Sequence, residues 1–308
     1  MSEGQGFGKV ILFGEHFVVY GLPAIASGID KLVKARVERN EKGIIFDDRV
    51  FNSIISFEKQ RDHVLSKTFE KVFGYFGVKD IKIEISGDVV PMAGMGYSAA
   101  LAVAVIRALN EFTGKGVSEE EVNKLAYECE KVSHGTPSGI DNTCATYGKI
   151  LWFEKNMEGG ENTIEPIEMK GNLLLVMGNT GKKGNTKELV AKVRKRKESE
   201  PDKYGGIFSR AGELVKHAKE RMISFDLKGV GELMNENHSL LQEMGVSSPE
   251  LDKLCELAKS NGALGAKLTG AGGGGFMIAI TENEEVQERV AKSFEREGAD
   301  SFRIRIGV

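Results

Sequence analysis

Residues 91–112 read PMAGMGYSAALAVAVIRALNEF, and the interpretation of the whole chain starts from them. A polar, glycine-rich turn runs directly into an apolar segment whose composition predicts a buried helix. Gly94 and Gly96 lack a Cβ atom, so the backbone there can bend tightly and approach a bound group. The first N–H groups of a helix have no partner within it, and the helix dipole favours negative charge at that end. The stretch therefore predicts a phosphate-binding loop.

A simpler structure fits the same residues. A glycine turn capped by Ser98 at the start of an ordinary core helix has this composition as well. A single Gly-x-Gly sequence is a weak signal for a binding loop. The choice between the two depends on the other polar segments of the chain.

Length and composition are those of an ordinary globular protein, with 308 residues, 41% hydrophobic and 28% charged. The length favours two domains, which we predict at 1–160 and 161–308, with the boundary in the polar stretch 154–162. A net charge of −3 argues against bulk nucleic-acid binding but leaves room for a small anionic ligand. The basic run at 192–197 fits a solvated helix face, with a nucleic-acid contact as the weaker alternative.

Cellular location follows from what the sequence lacks. No apolar run approaches the ~20 residues of a membrane span, and the N-terminus has no signal-peptide pattern. The three cysteines, Cys129, Cys144 and Cys255, are widely spaced and form no CxxC pair. We interpret them as free thiols in a reducing compartment, which predicts a cytoplasmic protein without a membrane partner.

The order of predicted strands and helices indicates an α+β fold with helices layered on sheet. Helical spacing of apolar residues predicts a helix over 63–76. Ser118 and Glu121 resemble a capping box that opens a helix reaching about residue 132. Residues 17–19 are apolar and β-prone. The segment 134–142, HGTPSGIDN, is so rich in turn formers that we predict an irregular loop.

Four polar clusters lie far apart in the sequence, at 9–16, 94–98, 130–142 and 267–275, and two of them are glycine-rich. Polar loops of globular proteins lie at the surface, where function concentrates. Backbone N–H groups that hold phosphates, together with Lys, Asp, Glu and Ser side chains, are what phosphoryl transfer from a nucleotide requires. A hydroxyl and a carboxylate would hold magnesium.

The same segments carry a family resemblance. GKVILFGEHFVVYG (8–21), PMAGMGYSAA (91–100), KVSHGTPSGIDN (131–142) and GAKLTGAGGGG (265–275) resemble motifs of the GHMP small-molecule kinases. That family includes galactokinase, homoserine kinase, mevalonate kinase and phosphomevalonate kinase, and the motifs look like those of mevalonate kinase in particular. The chain has no GxxxxGK[ST] sequence, so the nucleotide is not held in the Walker manner.

The resemblance implies a two-domain fold, with an N-terminal domain like domain 2 of ribosomal protein S5 and a ferredoxin-like C-terminal domain. It implies ATP-dependent, Mg²⁺-dependent phosphorylation of the 5-hydroxyl of (R)-mevalonate in isoprenoid biosynthesis, by a homodimer. Another GHMP kinase, acting on phosphomevalonate or homoserine, is the alternative within the family. A non-catalytic ligand sensor with this fold would be expected to lack Asp141, Lys9 or Ser98, and all three are present.

The resemblance also implies a role for each matching residue. Asp141 and Lys9 would be catalytic, and Ser98 and Glu130 would bind Mg²⁺. Residues on the substrate side would be Glu15, His16, Thr186, Gly270 and Ala271. Residues on the nucleotide side would be Pro91, Gly94, Met95, Gly96, Tyr97, Ser98, Ala99, Gly272 and Gly273.

Each side chain singled out has an ordinary structural alternative. Without the resemblance, Lys9 reads as a surface lysine and Glu130 as a solvated helix residue. Asp141 would stabilise its own turn, His16 would be a structural histidine, and Thr186 would be a helix N-cap.

Two residues depart from the family pattern. Phe7 stands before Gly8 and Lys9 where the family usually has proline, which removes no catalytic group. Tyr97 stands where the family normally has serine. A tyrosine beside phosphates could donate a hydrogen bond, stack near the nucleotide or crowd the loop.

Overall fold

The computed structural model describes residues 1–91, 94–135, 137–182 and 184–307, without the side chains of residues 133, 134, 186 and 187. In chain order the strands are β1 (Ser2–Phe13), β2 (Ala24–Arg39), β3 (Ile44–Asp48), β4 (Ser53–Ser56), β5 (Ile81–Gly87), β6 (Ile150–Glu154), β7 (Thr163–Pro166), β8 (Leu173–Asn179), β9 (Gly265–Leu268), β10 (Phe276–Thr281) and β11 (Asp300–Ile306). The helices are α1 (Val64–Phe76), α2 (Tyr97–Thr113), α3 (Glu119–His134), α4 (Ile140–Tyr147), α5 (Thr186–Ser199), α6 (Pro201–Ser224), α7 (Leu227–Glu243), α8 (Pro249–Ser260) and α9 (Glu284–Arg296).

The chain divides into two compact units. Unit 1 consists of Met1–Lys9 and Gly28–Gly148, and unit 2 consists of Val10–Ser27 and Lys149–Val308. Both β1 and β2 contribute residues to each unit. The units place residues 10–27 with the second half of the chain, and the predicted domains 1–160 and 161–308 stay a prediction.

Unit 1 is a sheet in the order β4-β3-β5-β2 together with helices α1 to α4. β3 runs parallel to β5, and β5 is antiparallel to β2. Helix α2 is apolar almost all round, and its residues from Ala99 to Ile106 are all buried. It contacts α1, α3 and α4, as expected for a helix at the centre of a layer.

Unit 2 is built on an antiparallel sheet in the order β11-β8-β10-β9. Helices α5 to α8 lie between β8 and β9 in the chain. Strands β9 and β10 follow each other directly, and α9 lies between β10 and β11. This strand–helix–strand–strand–helix–strand connectivity is the ferredoxin-like pattern expected of the C-terminal half. The likeness of unit 1 to domain 2 of ribosomal protein S5 stays a prediction.

The helices and strands confirm the α+β class, and several local predictions hold. Helix α1 starts at Val64 with His63 as its N-cap, and Ser118 and Glu121 form the predicted capping box of α3. The exposed basic residues at 192–197 lie on α5, as a solvated face would. Within the described part of the chain, no helix has both the length and the apolar character that a membrane span requires.

Two local predictions are wrong. Phe17–Tyr20 is a 3-10 helix and not an extended run, because a tight turn in which Val18 N donates to Gly14 O precedes it. The segment 134–142 is not a loop throughout, since α4 begins at Ile140. Gly139, at a φ of 90°, turns the chain into that helix and serves as its N-cap. The abundance of turn formers before Ile140 concealed the start of the helix.

Candidate active site

The glycine turn of residues 91–98 leads into α2 as an open helix end. Pro91 and Gly94 lie in the turn, Met95 is fully buried, and the helix begins at Tyr97. The N-cap is Gly96, with no side-chain capping bond among the described residues. The alternative in which Ser98 caps the helix is therefore wrong. The N–H groups of the first turn remain suited to an anion.

Lys9 is fixed directly against this turn. Its backbone N–H donates to Met95 O at 2.8 Å. Gly96 has a φ of +70°, and a Cβ at this position would lie 2.6 Å from Lys9 Cγ. Only glycine meets both conditions without strain, because the left-handed region disfavours other residues and the contact leaves no space for a methyl group. The turn therefore determines where the lysine stem runs.

Lys9 pairs with Asp141. The Nζ atom lies 3.1 Å from Asp141 Oδ1. Lys9 is only 8% exposed, so it is not a surface lysine. Burial alone would lower the pKa of the Lys9 amine, but the charge of Asp141 and the hydrogen bond to it prevail and raise that pKa. Lys9 is therefore a fixed cation.

Asp141 lies in the first turn of α4, where the helix dipole favours a carboxylate. Its side chain is 33% exposed, although its partner is buried. The carboxylate thus contacts the Lys9 amine on one side and remains accessible on another. A role confined to its own turn does not account for this pairing across the fold.

Glu130 lies near the end of α3 and is 3% exposed, which rules out a solvated helix residue. Burial, followed by the nearby charge of Asp141, raises the pKa of Glu130 to about 7, and Lys9 opposes the shift. A buried carboxylate in this setting would gain from an additional cation. Ser98, the second residue of α2, is half-buried and offers a hydroxyl oxygen. Hydroxyl and carboxylate oxygens are ligands that Mg²⁺ accepts.

In unit 2, His16 contacts the second glycine run. His16 Nε2 lies 2.8 Å from Ala271 O. Because a carbonyl oxygen only accepts, Nε2 carries the hydrogen. Burial lowers the pKa of His16, and the bond to Ala271 opposes this shift only in part. The ring is therefore neutral at pH 7, and Nδ1 is left as an acceptor.

Glu15 forms a buried ion pair with Lys267, and neither side chain is exposed. Lys267 Nζ also donates to Leu268 O at 2.7 Å. Burial lowers the pKa of Lys267, although the charge of Glu15 opposes the shift. A third contact, from Thr269 Oγ1 to Ile11 O at 2.9 Å, joins the same two segments. The residues around Glu15 and His16 are thus fastened to the start of the glycine run.

Lys267 was missed as an individual site residue. It belongs to one of the four polar clusters, but the neighbouring glycines drew the interpretation away from it. The signal that could have found it is a lone lysine inside the apolar strand β9, all four residues of which are buried. Charged residues are almost never fully buried without a partner.

The glycine run 270–275 folds back on unit 2. Gly273 N donates to Val246 O at 2.8 Å. A Cβ at Gly272 would lie 2.0 Å from the same carbonyl oxygen, and the φ of +77° also favours glycine. Gly270 has no atom of the described residues within 4 Å of its Cβ position, so that side of the run is open with respect to them.

The two remaining predictions concern Tyr97 and Thr186. The Tyr97 ring meets Phe51 edge-on at 5.8 Å, and its hydroxyl is buried without a hydrogen-bond partner among the described residues. Burial raises the pKa of the Tyr97 hydroxyl, with a further contribution from the charge of Asp48. Thr186 is the first residue of α5, but its side chain lies outside the described residues. The N-cap of that helix is Asn185, which accepts from Glu188 N, so the N-cap alternative for Thr186 is wrong.

Comparisons with known proteins agree with this geometry. The family model described as the GHMP kinases N terminal domain matches residues 63–149, and the one described as GHMP kinases C terminal matches residues 218–300. A mevalonate kinase of Pyrococcus horikoshii is 39% identical over 300 residues, which cover 90% of this chain and 88% of that protein. The chain belongs to the GHMP kinase family.

Comparison with solved structures shows that the similarity extends to the three-dimensional fold. An L. major mevalonate kinase, crystallised in complex with R-mevalonate, superposes with a TM-score of 0.89 at 33% identity, covering 99% of this chain and 96% of that one. The mevalonate kinase of Methanococcus jannaschii gives a TM-score of 0.85 at 28% identity, covering 99% and 98%. The two-domain GHMP kinase fold predicted from the motifs is thereby confirmed.

Proposed function

We propose that the protein transfers the γ-phosphoryl group of ATP to the 5-hydroxyl of (R)-mevalonate, giving 5-phosphomevalonate for isoprenoid biosynthesis. One observation carries the proposal: the buried Lys9–Asp141 pair lies against an open, glycine-lined helix end. The similarity to mevalonate kinases over most of the chain supports mevalonate as the acceptor.

Asp141 is the group we assign to the acceptor hydroxyl. Its carboxylate is accessible and paired with Lys9, so it can accept or orient the proton of a hydroxyl group. As the 5-oxygen forms its bond to the γ-phosphorus, the bond from that phosphorus to the bridging oxygen breaks and ADP leaves. The hydroxyl proton passes to Asp141. Lys9 offsets the negative charge that develops on the transferring group.

The phosphates are assigned to the glycine turn. The N–H groups at the start of α2 lack a capping side chain in the described structure and lie on the positive end of the helix dipole. Nucleotide contacts are assigned to residues Pro91, Gly94, Met95, Gly96, Tyr97, Ser98, Ala99, Gly272 and Gly273.

Ser98 and Glu130 suit a magnesium ion. Both offer oxygen ligands, and the raised pKa of Glu130 shows a buried carboxylate that an additional cation would stabilise in its charged form. When bound, Mg²⁺ neutralises phosphate charge. The charge of Asp141 contributes to the raised pKa of Glu130. The carboxylates of Glu130 and Asp141 together therefore favour a cation near Asp141, the proposed base.

Substrate binding is assigned to residues of unit 2, beginning with His16 and Glu15. His16 is neutral, with Nδ1 free to accept a hydrogen bond from a substrate hydroxyl. Glu15 supports this segment through its buried pair with Lys267. Gly270, Ala271 and Thr186 complete the assignment. A homodimer and a cytoplasmic location stay predictions.

The test is coupled ADP release with Mg-ATP against four acceptors: mevalonate, 5-phosphomevalonate, homoserine and galactose. The proposal expects turnover with mevalonate at least ~100-fold above the other three acceptors, a ratio in the range that a few unpaired polar groups produce. Preferred turnover of homoserine or phosphomevalonate would move the specificity to another member of the family. Silence with all four acceptors, with ATP binding intact, would favour an acceptor outside these four or the sensor interpretation.

A further inference from the structure

Arg107 connects the backbones of three elements of unit 1. It lies on α2, nine residues after Ser98, and its side chain is only 22% exposed. Its Nη1 donates to Gln5 O at 2.6 Å and its Nη2 donates to Thr146 O, also at 2.6 Å. The guanidinium also forms an ion pair with Glu119. One half-buried side chain therefore joins β1, α2 and α4, and reaches α3 as well.

These elements are the ones that carry the candidate catalytic groups. Gln5 lies in β1, four residues before Lys9, and Thr146 lies in α4, five residues after Asp141. Glu119 is the first residue of α3, which carries Glu130. Arg107 itself lies on the helix that begins with Tyr97 and Ser98. Arg107 thus connects the elements on which the candidate catalytic groups lie, although those groups are far apart in the sequence.

The chemistry of the contacts makes arginine the suitable residue. Thr146 is the penultimate residue of α4, so its carbonyl is among the last four of the helix, which have no partner within the helix. A cation at this end also interacts favourably with the helix dipole. The planar guanidinium directs its donors along fixed lines, whereas an ammonium is a point charge on a flexible stem. Two carbonyls on different elements thus accept from a single guanidinium.

Both elements have little other freedom. A Cβ at Gly4 or Gly6 would lie about 2 Å from a backbone oxygen of α2, so β1 rests directly on that helix. At the other end of α4, Asn142 Nδ2 donates to Asn123 Oδ1 on α3 at 2.6 Å. Arg107 provides a fastening at the C-terminal end of α4, where Thr146 Oγ1 also donates to Asn123 Oδ1 at 3.5 Å. Asp141, in the first turn of the same helix, lies 3.1 Å from Lys9.

We propose that Arg107 is a positioning residue, which fixes α4 relative to β1 and so sets the separation of Lys9 and Asp141. The proposal rests on the proposed function for its kinetic consequence, but the geometric consequence stands without it. A displacement of about 1 Å at reacting groups can cost ~100-fold in rate.

The kinetic test compares Arg107→Met, Arg107→Lys and a control, Arg36→Met. Arg36 is 47% exposed and forms an ion pair with Glu3 of β1, so the control removes an arginine contact to the same strand. We expect kcat to fall ~10- to 100-fold in Arg107→Met and by a smaller factor in Arg107→Lys. KM for ATP and for the acceptor should stay within ~3-fold, because no binding group is removed. Arg36→Met should keep kcat within ~2-fold of the wild type.

The structural test is a crystal structure of Arg107→Lys, which keeps the stem and the charge that pairs with Glu119. We expect the Lys9 Nζ to Asp141 Oδ1 distance to exceed 4 Å. An unchanged distance, or a wild-type kcat in either folded Arg107 variant, would overturn the proposal. A lower melting temperature with unchanged kcat would also overturn it, since it would show a purely structural role. A wild-type protein inactive on mevalonate would overturn the proposed function, and the distance would then decide the role of Arg107.

Discussion

Two lysine–carboxylate pairs of this protein differ in one respect that decides their use. Lys267 and Glu15 are both 0% exposed, whereas Lys9 is buried and its partner Asp141 is 33% exposed. The pKa of Lys267 is lowered because burial prevails, and the pKa of Lys9 is raised because Asp141 prevails over burial. The sealed pair joins the Glu15 segment to β9. A pair with one accessible carboxylate can act on a ligand.

The largest effect, a loss of turnover, is expected from substitutions in the accessible pair, Lys9 and Asp141. Asp141→Asn or Lys9→Met should lower kcat ~100- to 10,000-fold, because a positioned acid–base group contributes that much. The fold should survive, since the partner left behind by either change lies beside an accessible position that water can reach. Steady-state kinetics with circular dichroism melting measures both. Wild-type turnover in either variant would remove that residue from the mechanism.

Breaking the sealed pair, Lys267 and Glu15, should instead lower the stability of the fold. Lys267→Met removes the cation that pairs with the buried Glu15 carboxylate, and breaking such a buried pair costs ~3–5 kcal/mol of unfolding free energy. Urea unfolding of the variant against the wild type measures this cost.

The matched control is the double variant Lys267→Met with Glu15→Gln. It removes both charges, so it should recover a large part of the lost stability. A double variant as unstable as Lys267→Met alone would show that the ion pair is not the source of the loss.

The sequence predicted some residues of the two pairs and missed others, depending on whether a recognisable pattern marked the residue. Asp141 and Glu130 were identified through motifs, and the α+β class followed from the order of strands and helices. The burial of Lys9 was not evident, because a lysine at the end of a β-prone run looks exposed until the glycine turn is packed on it. Lys267 lies inside a glycine-rich motif but within the apolar strand β9, and Arg107 lies in the apolar helix α2 beyond the motif at 91–100. Glu15 is 252 residues from Lys267, and Gln5 is 102 residues from Arg107. Only the tertiary fold brings such partners together.

The glycine turn offers a smaller and sharper test. Gly94 and Gly96 both have positive φ, so alanine at either position should cost ~1–2 kcal/mol from backbone strain. At Gly96 the new Cβ would also displace Lys9, whereas at Gly94 no atom of the described residues lies within 4 Å. Gly96→Ala should therefore be less stable than Gly94→Ala. Equal unfolding free energies for the two would show that Lys9 is not held by the turn.

The smallest effect is expected at Tyr97. Tyr97→Phe removes a buried hydroxyl that lacks a hydrogen-bond partner among the described residues and keeps the ring contact with Phe51. An unsatisfied buried polar group costs ~1–3 kcal/mol, so the variant should be as stable as the wild type or slightly more stable. Thermal melting and kcat are the measurements. A large loss of kcat with intact folding would give the hydroxyl a direct part in the reaction.

Phosphorus-31 NMR of the wild type and Asp141→Asn with Mg-ATP and (R)-mevalonate tests the accessible pair most directly. The wild type should convert the γ-phosphate signal into that of a phosphate monoester on mevalonate, with ADP formed in equal amount. Asp141→Asn, folded and able to bind ATP, should give almost none of that product in the same time. Monoester formation by Asp141→Asn at the wild-type rate, or none by the wild type, would contradict the assignment of phosphoryl transfer to this pair.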